Sequence, residues 1–490
     1  MATGVGRGTK NAKRAARLLI AAAVLAGPLS GVSAWGGRLN VAEAASAAEM
    51  VKAAKVIVDG KESAGWSAKP FVAGGTTYVP LREAAASLGA KVTWNNATKS
   101  ARMELNGDIY VYQNGVADIT LNDGFRLRMP AASRTVNGSL MVPLRALTDA
   151  MRSTLKLTQT PSLMTIEVTT DNVTTVDKKM AAVDRYLIEQ RYSGLALVAK
   201  DGRVLLRKGY GLASPGKLNR PDMTSRIASI TKSFTAAAVM KLVEEGKLSL
   251  NDPISAYITG IPRGDEITIH MLLSHTSGLP SEFTRGAERT IEQTVAEIRT
   301  KKLEFEPGTD YKYSNNGYVL LAAVIEKLSG QSYAAYVQSE LMSRAGMSRS
   351  GTATKSTPVI QGYVQQKGEW VEAPYYVSQS GTGTLYATVD DLLKWDGLLR
   401  SGKLLTADSL EAMYTPHSEK GYGYGWIARD AAEGRTVFHN GSGSGYSTGM
   451  SRNLDNGLTV ILLGNRAGMD TALLMEHIQT IAAKAVGANG

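Results

Sequence analysis

The second half of the chain carries strand-like sequence at both of its ends, and this feature constrains the fold most. Residues 195–211 predict a hairpin that turns at Asp201-Gly202, and residues 437–465 predict strands around a turn at 455–457. The sequence between them is rich in helix formers, and residues 471–486 predict a closing helix. Strands at both ends with helices between them predict an α/β fold. We expect one antiparallel sheet, a helical lobe and a cleft between the two.

The first half carries an internal repeat. The phrase TYVPLREA at residues 77–84 returns as LMVPLRAL at residues 140–147, and alternating segments lie between the copies. This pattern predicts a small α+β domain over residues 52–171. A polar junction follows, and residues 172–490 form the predicted C-terminal domain. Because each half has its own apolar pattern, we expect the halves to fold separately.

The first residues predict an export signal. A basic stretch at residues 10–17 runs into the apolar residues 18–26, and Ala45-Ser46-Ala47 fits a cleavage site. Residues 1–47 are therefore predicted to be a signal peptide, which places the protein outside the cell or at its wall. The chain has a net charge of +11, but its basic residues are scattered and form no stripe for nucleic acid. Without any cysteine, an exported chain must rely on burial and not on disulfides.

One Ser-x-x-Lys tetrad stands out as a candidate nucleophile and base. On a helix this spacing places both side chains on one face. The tetrad occurs three times, as Ser153/Lys156, Ser214/Lys217 and Ser229/Lys232. The first precedes a strand-like run, and the second spans Pro-Gly, which a helix does not tolerate. Only Ser229 opens a predicted helix, and that helix ends near Gly246.

Two further groups could line the same cleft. Tyr313 and Asn315 stand one residue apart before a helix predicted over residues 318–328. His439-Asn440-Gly441-Ser442 follows an apolar strand, and its glycine permits a substrate to lie against the backbone. By itself, the first group is better explained as a hydrogen-bonded turn, and the histidine of the second is equally compatible with a structural role.

Taken in order, the three groups resemble the motif set of penicillin-recognising enzymes. Residues 178–490 are similar to the superfamily of class C β-lactamases and D-alanyl-D-alanine carboxypeptidases, which also contains D-aminopeptidases and esterases. The resemblance implies a β-lactamase/transpeptidase-like fold and three catalytic residues, Ser229, Lys232 and Tyr313. It implies a substrate-binding set of Asn315, His439, Asn440, Gly441 and Ser442. His275, in the phrase HTSGL, resembles a structural helix–turn signature.

The resemblance implies that Ser229 attacks the substrate carbonyl and that Lys232 and Tyr313 accept or relay the proton of its hydroxyl. The backbone N–H groups of Ser229 and Ser442 receive the oxyanion. The expected partners are small peptides, amides or esters, including peptidoglycan stem peptides. Asn440 stands where relatives often carry threonine. We therefore expect uncharged leaving groups to be preferred over the carboxylate-bearing β-lactams.

The repeat domain resembles the domain named after the copper amine oxidase N-terminus, which implies a stalk that presents the enzyme at the wall. We expect no copper there, because the first histidine of the chain is His270 and cysteine is absent. We expect no other cofactor or metal in the protein.

Two rival functions belong to other classes. Residues 445–449 fit Gly-x-Ser-x-Gly with Ser447 as the nucleophile of an α/β-hydrolase, but that elbow requires a helix directly after it. The second rival is a wall-binding receptor that keeps the fold without catalysis. Within the same fold, esterase or β-lactamase activity is the alternative to peptidase activity.

Overall fold

The computed structural model describes residues 52–62, 65–122, 124–150, 153–159, 164–170, 173–284, 288–374 and 380–487. The predicted signal peptide lies outside these ranges. Within them, no helix has both the length and the apolar character needed to cross a membrane.

The predicted N-terminal domain is rich in strands. Its helices are α1 (Leu81–Ser87) and α2 (Leu144–Ala150). Its strands are β1 (Lys52–Val58), β2 (Lys61–Glu62), β3 (Phe71–Ala73), β4 (Thr76–Pro80), β5 (Lys91–Asn95), β6 (Ser100–Leu105), β7 (Asp108–Gln113), β8 (Asp118–Leu121), β9 (Phe125–Arg128), β10 (Arg134–Val136), β11 (Ser139–Pro143), β12 (Thr154–Gln159) and β13 (Met164–Thr169).

The internal repeat explains the layout of this domain. Each copy forms a strand followed by a short helix, β4–α1 and β11–α2, and the two strands pair antiparallel with Val79 opposite Val142. One sheet runs in the order β10-β11-β4-β3-β1-β13-β12, with β2 paired to β1, and a second sheet runs from β5 to β9. Alternating burial along β7, with Tyr110 and Tyr112 inward, gives the second sheet its core face.

The C-terminal domain is built on one seven-stranded sheet, in the order β14-β16-β15-β27-β26-β25-β24. These strands are β14 (Thr175–Val176), β15 (Gly194–Lys200), β16 (Arg203–Tyr210), β24 (Ile427–Ala431), β25 (Gly434–Gly443), β26 (Tyr446–Asn453) and β27 (Leu458–Gly464). Short strands outside this sheet are β17 (Leu212–Ser214), β18 (Lys217–Leu218), β19 (Ser225–Arg226), β20 (Gly351–Thr352), β21 (Tyr363–Gln366), β22 (Glu369–Glu372) and β23 (Leu385–Ala387).

The predicted α/β architecture is confirmed. Strand β15 pairs antiparallel with β27, so the sheet joins the two ends of the domain. The β15–β16 turn has positive φ at both Asp201 (52°) and Gly202 (81°), as a tight hairpin turn requires. The closing helix spans Thr471–Gly487 and packs on the sheet.

The remaining helices cover the sheet and form the lobe. They are α3 (Ala181–Glu189), α4 (Thr231–Glu244), α5 (Ile269–Ser274), α6 (Ile291–Ile298), α7 (Asn315–Ser329), α8 (Tyr333–Tyr336), α9 (Val389–Arg400), α10 (Ala407–Tyr414) and the closing α11 (Thr471–Gly487). Helix α4 is buried on nearly all sides, and its Phe234 stacks on Trp395 of α9 at 4.2 Å between ring centres. A helix surrounded in this way is a rigid support for residues at its start.

A buried lysine joins the two domains. The Nζ atom of Lys208 in β16 donates to Asn106 O at 2.7 Å and lies 2.9 Å from Asp184 Oδ1 and 3.2 Å from Asp108 Oδ1. The Lys208 side chain is fully buried. Asp108 belongs to the N-terminal domain and Asp184 to the C-terminal domain, so one buried cation contacts a carboxylate of each domain.

Candidate active site

Ser229 lies in a 3₁₀ turn, Ala228–Ile230, that leads directly into α4. Ala228 has a left-handed φ of 47°, which is unfavourable for a residue with a Cβ. Lys232 follows one helical turn later, and its Nζ donates to Ser229 Oγ at 3.2 Å. The predicted pairing of serine and lysine on one helical face is therefore present.

Lys232 is fully buried and bonded to two other segments. Its Nζ donates to Asn315 Oδ1 at 2.7 Å and to Thr382 O at 3.0 Å. It also lies 4.9 Å from the centre of the Tyr313 ring, close enough for a cation–π contact. The structure thus brings Ser229, Lys232, Tyr313 and Asn315 together.

Tyr313 and Asn315 are positioned by the start of α7. Ser314 is the N-cap of this helix and accepts a hydrogen bond from Gly317 N at 3.3 Å. The helix was predicted to begin at Tyr318, and that prediction is wrong by three residues. Asn-Asn-Gly is typical of a turn, but the Ser314 cap extends the helix so that Asn315 lies in its first turn.

His275 holds this loop from behind. It occupies a left-handed conformation at the end of α5, and its Nδ1 accepts the N–H of Ser314 at 3.1 Å. Its ring lies 4.4 Å from those of both Tyr313 and Tyr422. Burial, together with the nearby charge of Lys232, lowers the pKa of His275 well below its usual value. Its role here is to position Ser314 and, through it, Tyr313.

His439 lies behind the cleft. Its Nδ1 is 2.6 Å from Asn440 O, so that nitrogen carries the proton, and its Nε2 accepts from the Tyr422 hydroxyl at 2.9 Å. Burial, and secondarily the charge of Lys232, lowers the pKa of His439 to about 3. His439 is therefore neutral at physiological pH. It supports Tyr422 and does not act as a cation.

Gly441 and Ser442 lie where β25 passes Ser229. Strand β24 pairs with β25 only as far as Phe438, so the edge of β25 beyond that residue faces the Ser229 turn. A Cβ atom on Gly441 would lie 2.7 Å from the Ser229 backbone nitrogen, so this close approach requires glycine. Such an unpaired strand edge is a source of backbone donors for an oxyanion.

The resulting cleft has a volume of about 90 Å³. Ser229, Asn315 and Ser442 line it, whereas His439 and Asn440 are not among its lining residues. Sequence reasoning missed Arg226, a buried guanidinium in the cleft wall, and Glu282, whose Oε1 accepts from Asn315 Nδ2 at 2.7 Å. Only chain folding, and no local spacing, brings these two charges to the site.

The loop 380–384 forms another wall, and groups flanking the nucleophile hold it in place. Three successive carbonyl groups accept hydrogen bonds: Gly381 O from Thr235 Oγ1 at 2.6 Å, Thr382 O from Lys232 Nζ at 3.0 Å and Gly383 O from Arg226 Nη2 at 2.9 Å. Lys232 therefore fixes the cleft wall as well as contacting Ser229.

The rival serines occupy other surroundings. Ser447 lies within strand β26 and is followed by more strand, so it lacks the strand–turn–helix context of an α/β-hydrolase nucleophile. Ser153 precedes β12, and Ser214 ends β17. In the described part of the chain, no group of three or more histidine and acidic side chains is placed to hold a metal ion.

Comparisons with known proteins identify the family of each domain. The profile of the Beta-lactamase family matches residues 174–483, and that of the Copper amine oxidase N-terminal domain matches residues 57–166. The chain therefore belongs to the Beta-lactamase family of serine hydrolases and carries a copper amine oxidase N-terminal domain. The latter domain contains no histidine or cysteine in this chain, so it does not fit a copper site.

Individual relatives are penicillin-binding proteins. The chain is 33% identical over 265 residues to the putative penicillin-binding protein PbpX of Bacillus subtilis, covering 52% of this chain and 67% of that protein. It is 32% identical to penicillin-binding protein 4* of the same organism, covering 57% and 69%. The crystal structure of a penicillin-binding protein from Bacillus halodurans superposes with a TM-score of 0.56 at 26% identity, over 61% of this chain and 98% of that one.

Proposed function

We propose that the protein is an exported acyl-enzyme hydrolase that cleaves D-Ala-D-Ala-type peptides, or related amides and esters, at the cell wall. The observation that carries the proposal is the contact of the buried Lys232 ammonium with the hydroxyl of Ser229, which lines the cleft. A lysine in contact with a serine is one of the arrangements that activate the serine as a nucleophile.

In the proposed reaction, Ser229 Oγ bonds to the substrate carbonyl carbon as its proton passes to Tyr313, with Lys232 stabilising the phenolate. The backbone N–H groups of Ser229 and Ser442 hold the oxyanion. Collapse of the intermediate breaks the bond to the leaving group, which takes the proton. Water then hydrolyses the ester on Ser229 by the same steps in reverse order, restoring the serine.

The charges of the cleft support a peptide-like substrate. Arg226 lines the cleft, and Glu282 accepts a hydrogen bond from Asn315, so groups of both charge signs lie near the nucleophile. Similarity to penicillin-binding proteins supports the same class. The basic leader at residues 10–26 supports export, and the N-terminal domain is the proposed attachment to the wall.

Covalent labelling tests the proposal directly. Incubation with a fluorescent penicillin or a serine-directed phosphonate should place one adduct on Ser229, located by mass spectrometry. Ser229→Ala should lower the turnover rate about a million-fold, by analogy with other serine hydrolases, while Ser447→Ala should retain activity. An adduct on Ser447, Ser214 or Ser153 contradicts the assignment, and a protein that binds penicillin without any adduct is a receptor.

A comparison of kcat/KM for four substrates identifies the preferred leaving group. The substrates are a D-Ala-D-Ala peptide, a D-amino acid amide, nitrocefin and a short p-nitrophenyl ester. The proposal requires peptide, amide or neutral ester turnover to exceed that of nitrocefin. A dominant nitrocefin activity would make the protein a β-lactamase.

A further inference from the structure

A second concave surface lies in the N-terminal domain and shares no lining residue with the cleft. We call it the stalk groove. Its volume is about 310 Å³, at the lower end of the range of small-ligand sites. Its walls are the start of α1, the edge strand β5 with its neighbour β6, and the β10–β11 hairpin. The copies of the internal repeat therefore contribute to different walls.

The groove displays an aromatic ring at its surface. Trp94 in β5 is 38% exposed and is one of three large apolar side chains that are exposed among the described residues. Its indole N–H donates to Asn96 Oδ1 at 2.8 Å, which satisfies the ring nitrogen and fixes the orientation of the ring. An exposed aromatic surface held in one orientation suits stacking against a flat, weakly polar ligand face.

The same groove carries paired donors and acceptors. Glu83 accepts a hydrogen bond from the hydroxyl of Ser67, and that hydroxyl lies 3.1 Å from Ser139 Oγ. Arg82 adds an exposed guanidinium to the lining. Carboxylate, hydroxyl and guanidinium groups beside one another can serve a ligand whose groups both donate and accept hydrogen bonds.

We propose that the stalk groove binds a glycan chain of pyranose rings. A pyranose ring presents C–H groups on its face, which pack on Trp94, and hydroxyl groups at its rim, which reach Glu83, Ser67 and Arg82. A free anion fits poorly because Glu83 lies in the groove, and nucleic acid fits poorly for the same reason. The inference deepens the proposed wall attachment and gives the N-terminal domain a ligand of its own.

Isothermal titration of the full chain with tri-N-acetylchitotriose and, separately, cellotriose tests the proposal. We expect binding of at least one trisaccharide, a loss of affinity of tenfold or more in Trp94→Ala, and a smaller loss in Glu83→Gln. Binding of chitotriose alone identifies recognition of the acetamido groups found in wall glycans, binding of both identifies recognition of the pyranose ring itself, and binding of cellotriose alone identifies recognition of the hydroxyl group at C2.

The matched control is Trp370→Ala, which removes the other tryptophan that is 38% exposed, from strand β22 in the C-terminal domain. It should bind as the wild type does. Far-UV circular dichroism checks that each variant is folded, and turnover of a p-nitrophenyl ester separates this proposal from the catalytic one. The inference is overturned if neither trisaccharide binds the wild type, or if the Trp94 and Trp370 variants lose affinity equally.

Discussion

Two buried histidines lie near the Lys232 ammonium and are themselves neutral. His275 and His439 are each about 1% exposed, and the charge of Lys232 adds to burial in disfavouring their protonation. Each ring is consequently fixed as a neutral hydrogen-bonding group that holds a neighbour, Ser314 in one case and Tyr422 in the other.

The neutral histidines make the fold sensitive to acid. Below pH about 6.5 an unfolded histidine binds a proton, but His439 stays neutral in the native state down to a pKa of about 3. The unfolded state then binds more protons, so the free energy of unfolding falls as pH falls from about 6.5 towards 3. The expected slope is about 1.4 kcal/mol per pH unit for each such group.

Urea denaturation at pH 7, 6, 5 and 4.5 measures this slope. His439→Gln should reduce the slope of the unfolding free energy against pH by the contribution of about one histidine. Replacement of the surface residue His477 by Gln should leave the slope unchanged. Equal slopes in the wild type and the His439 variant would refute the assignment of a neutral buried His439.

At the residue scale, the spacing of residues along the sequence predicted contacts between residues that are close in sequence. The pairing of Ser229 with Lys232 follows from helical geometry alone. The neutrality of His439 could not be foreseen, because it depends on Tyr422 and on burial by segments distant in sequence. Arg226 and Glu282 were missed for the same reason.

Among the elements, strand β25 contributes a stretch of open edge to the site. Its pairing with β24 ends at Phe438, and Gly441 then approaches the Ser229 turn. The turns at 201–202 and 455–457 and the closing helix were predictable because they rest on local residue types. The start of α7 was not, since a capping serine outweighed a turn-like Asn-Asn-Gly.

Gly441→Ala should damage catalysis while the fold persists. The added methyl would lie 2.6 Å from Thr448 Oγ1 and 2.7 Å from Ser229 N, so the strand or the nucleophile must shift. Displacement of reacting groups by about 1 Å costs about a hundredfold in rate. We expect kcat/KM on a p-nitrophenyl ester to fall by about that factor.

Gly397→Ala is the control for this substitution. Gly397 lies inside α9, and a Cβ there meets no atom within 4 Å. This variant should keep its activity and gain about 0.5–1 kcal/mol in stability. If the Gly441 variant kept the wild-type kcat/KM, β25 would not be part of the proposed oxyanion site.

For the whole molecule, the contact between domains is the feature that the sequence did not reveal. Lys208 lies between carboxylates of both domains, and the Arg466 guanidinium lies between Phe125 of the N-terminal domain and Trp370, at 4.4 and 4.6 Å from the ring centres. The expectation that the halves fold separately rested on their patterns and on the polar junction. The contact argues instead for mutual stabilisation.

Lys208→Ala should lower the free energy of unfolding by about 3–5 kcal/mol, because it leaves Asp108 and Asp184 buried without their cation. The exposed Lys156→Ala, which breaks an ion pair with Glu167 at 3.4 Å, should cost less than about 1 kcal/mol. Chemical denaturation of both variants provides the measurement. A Lys208 variant as stable as the Lys156 variant would mean that the domains are energetically independent.

Because the sheet pairs β15 with β27, the proposed active site can form only late in the synthesis of the chain. Ser229 emerges from the ribosome long before β25, β26 and β27, so the nascent chain carries a nucleophile without the strand edge that faces it. Contacts between segments so far apart in sequence form slowly. The chain loses the conformational entropy of the intervening loop before it gains the free energy of the contact. The proposed site is therefore complete only after the last strands of the chain have been made, and we expect a nascent chain that lacks them to show no acylation of Ser229.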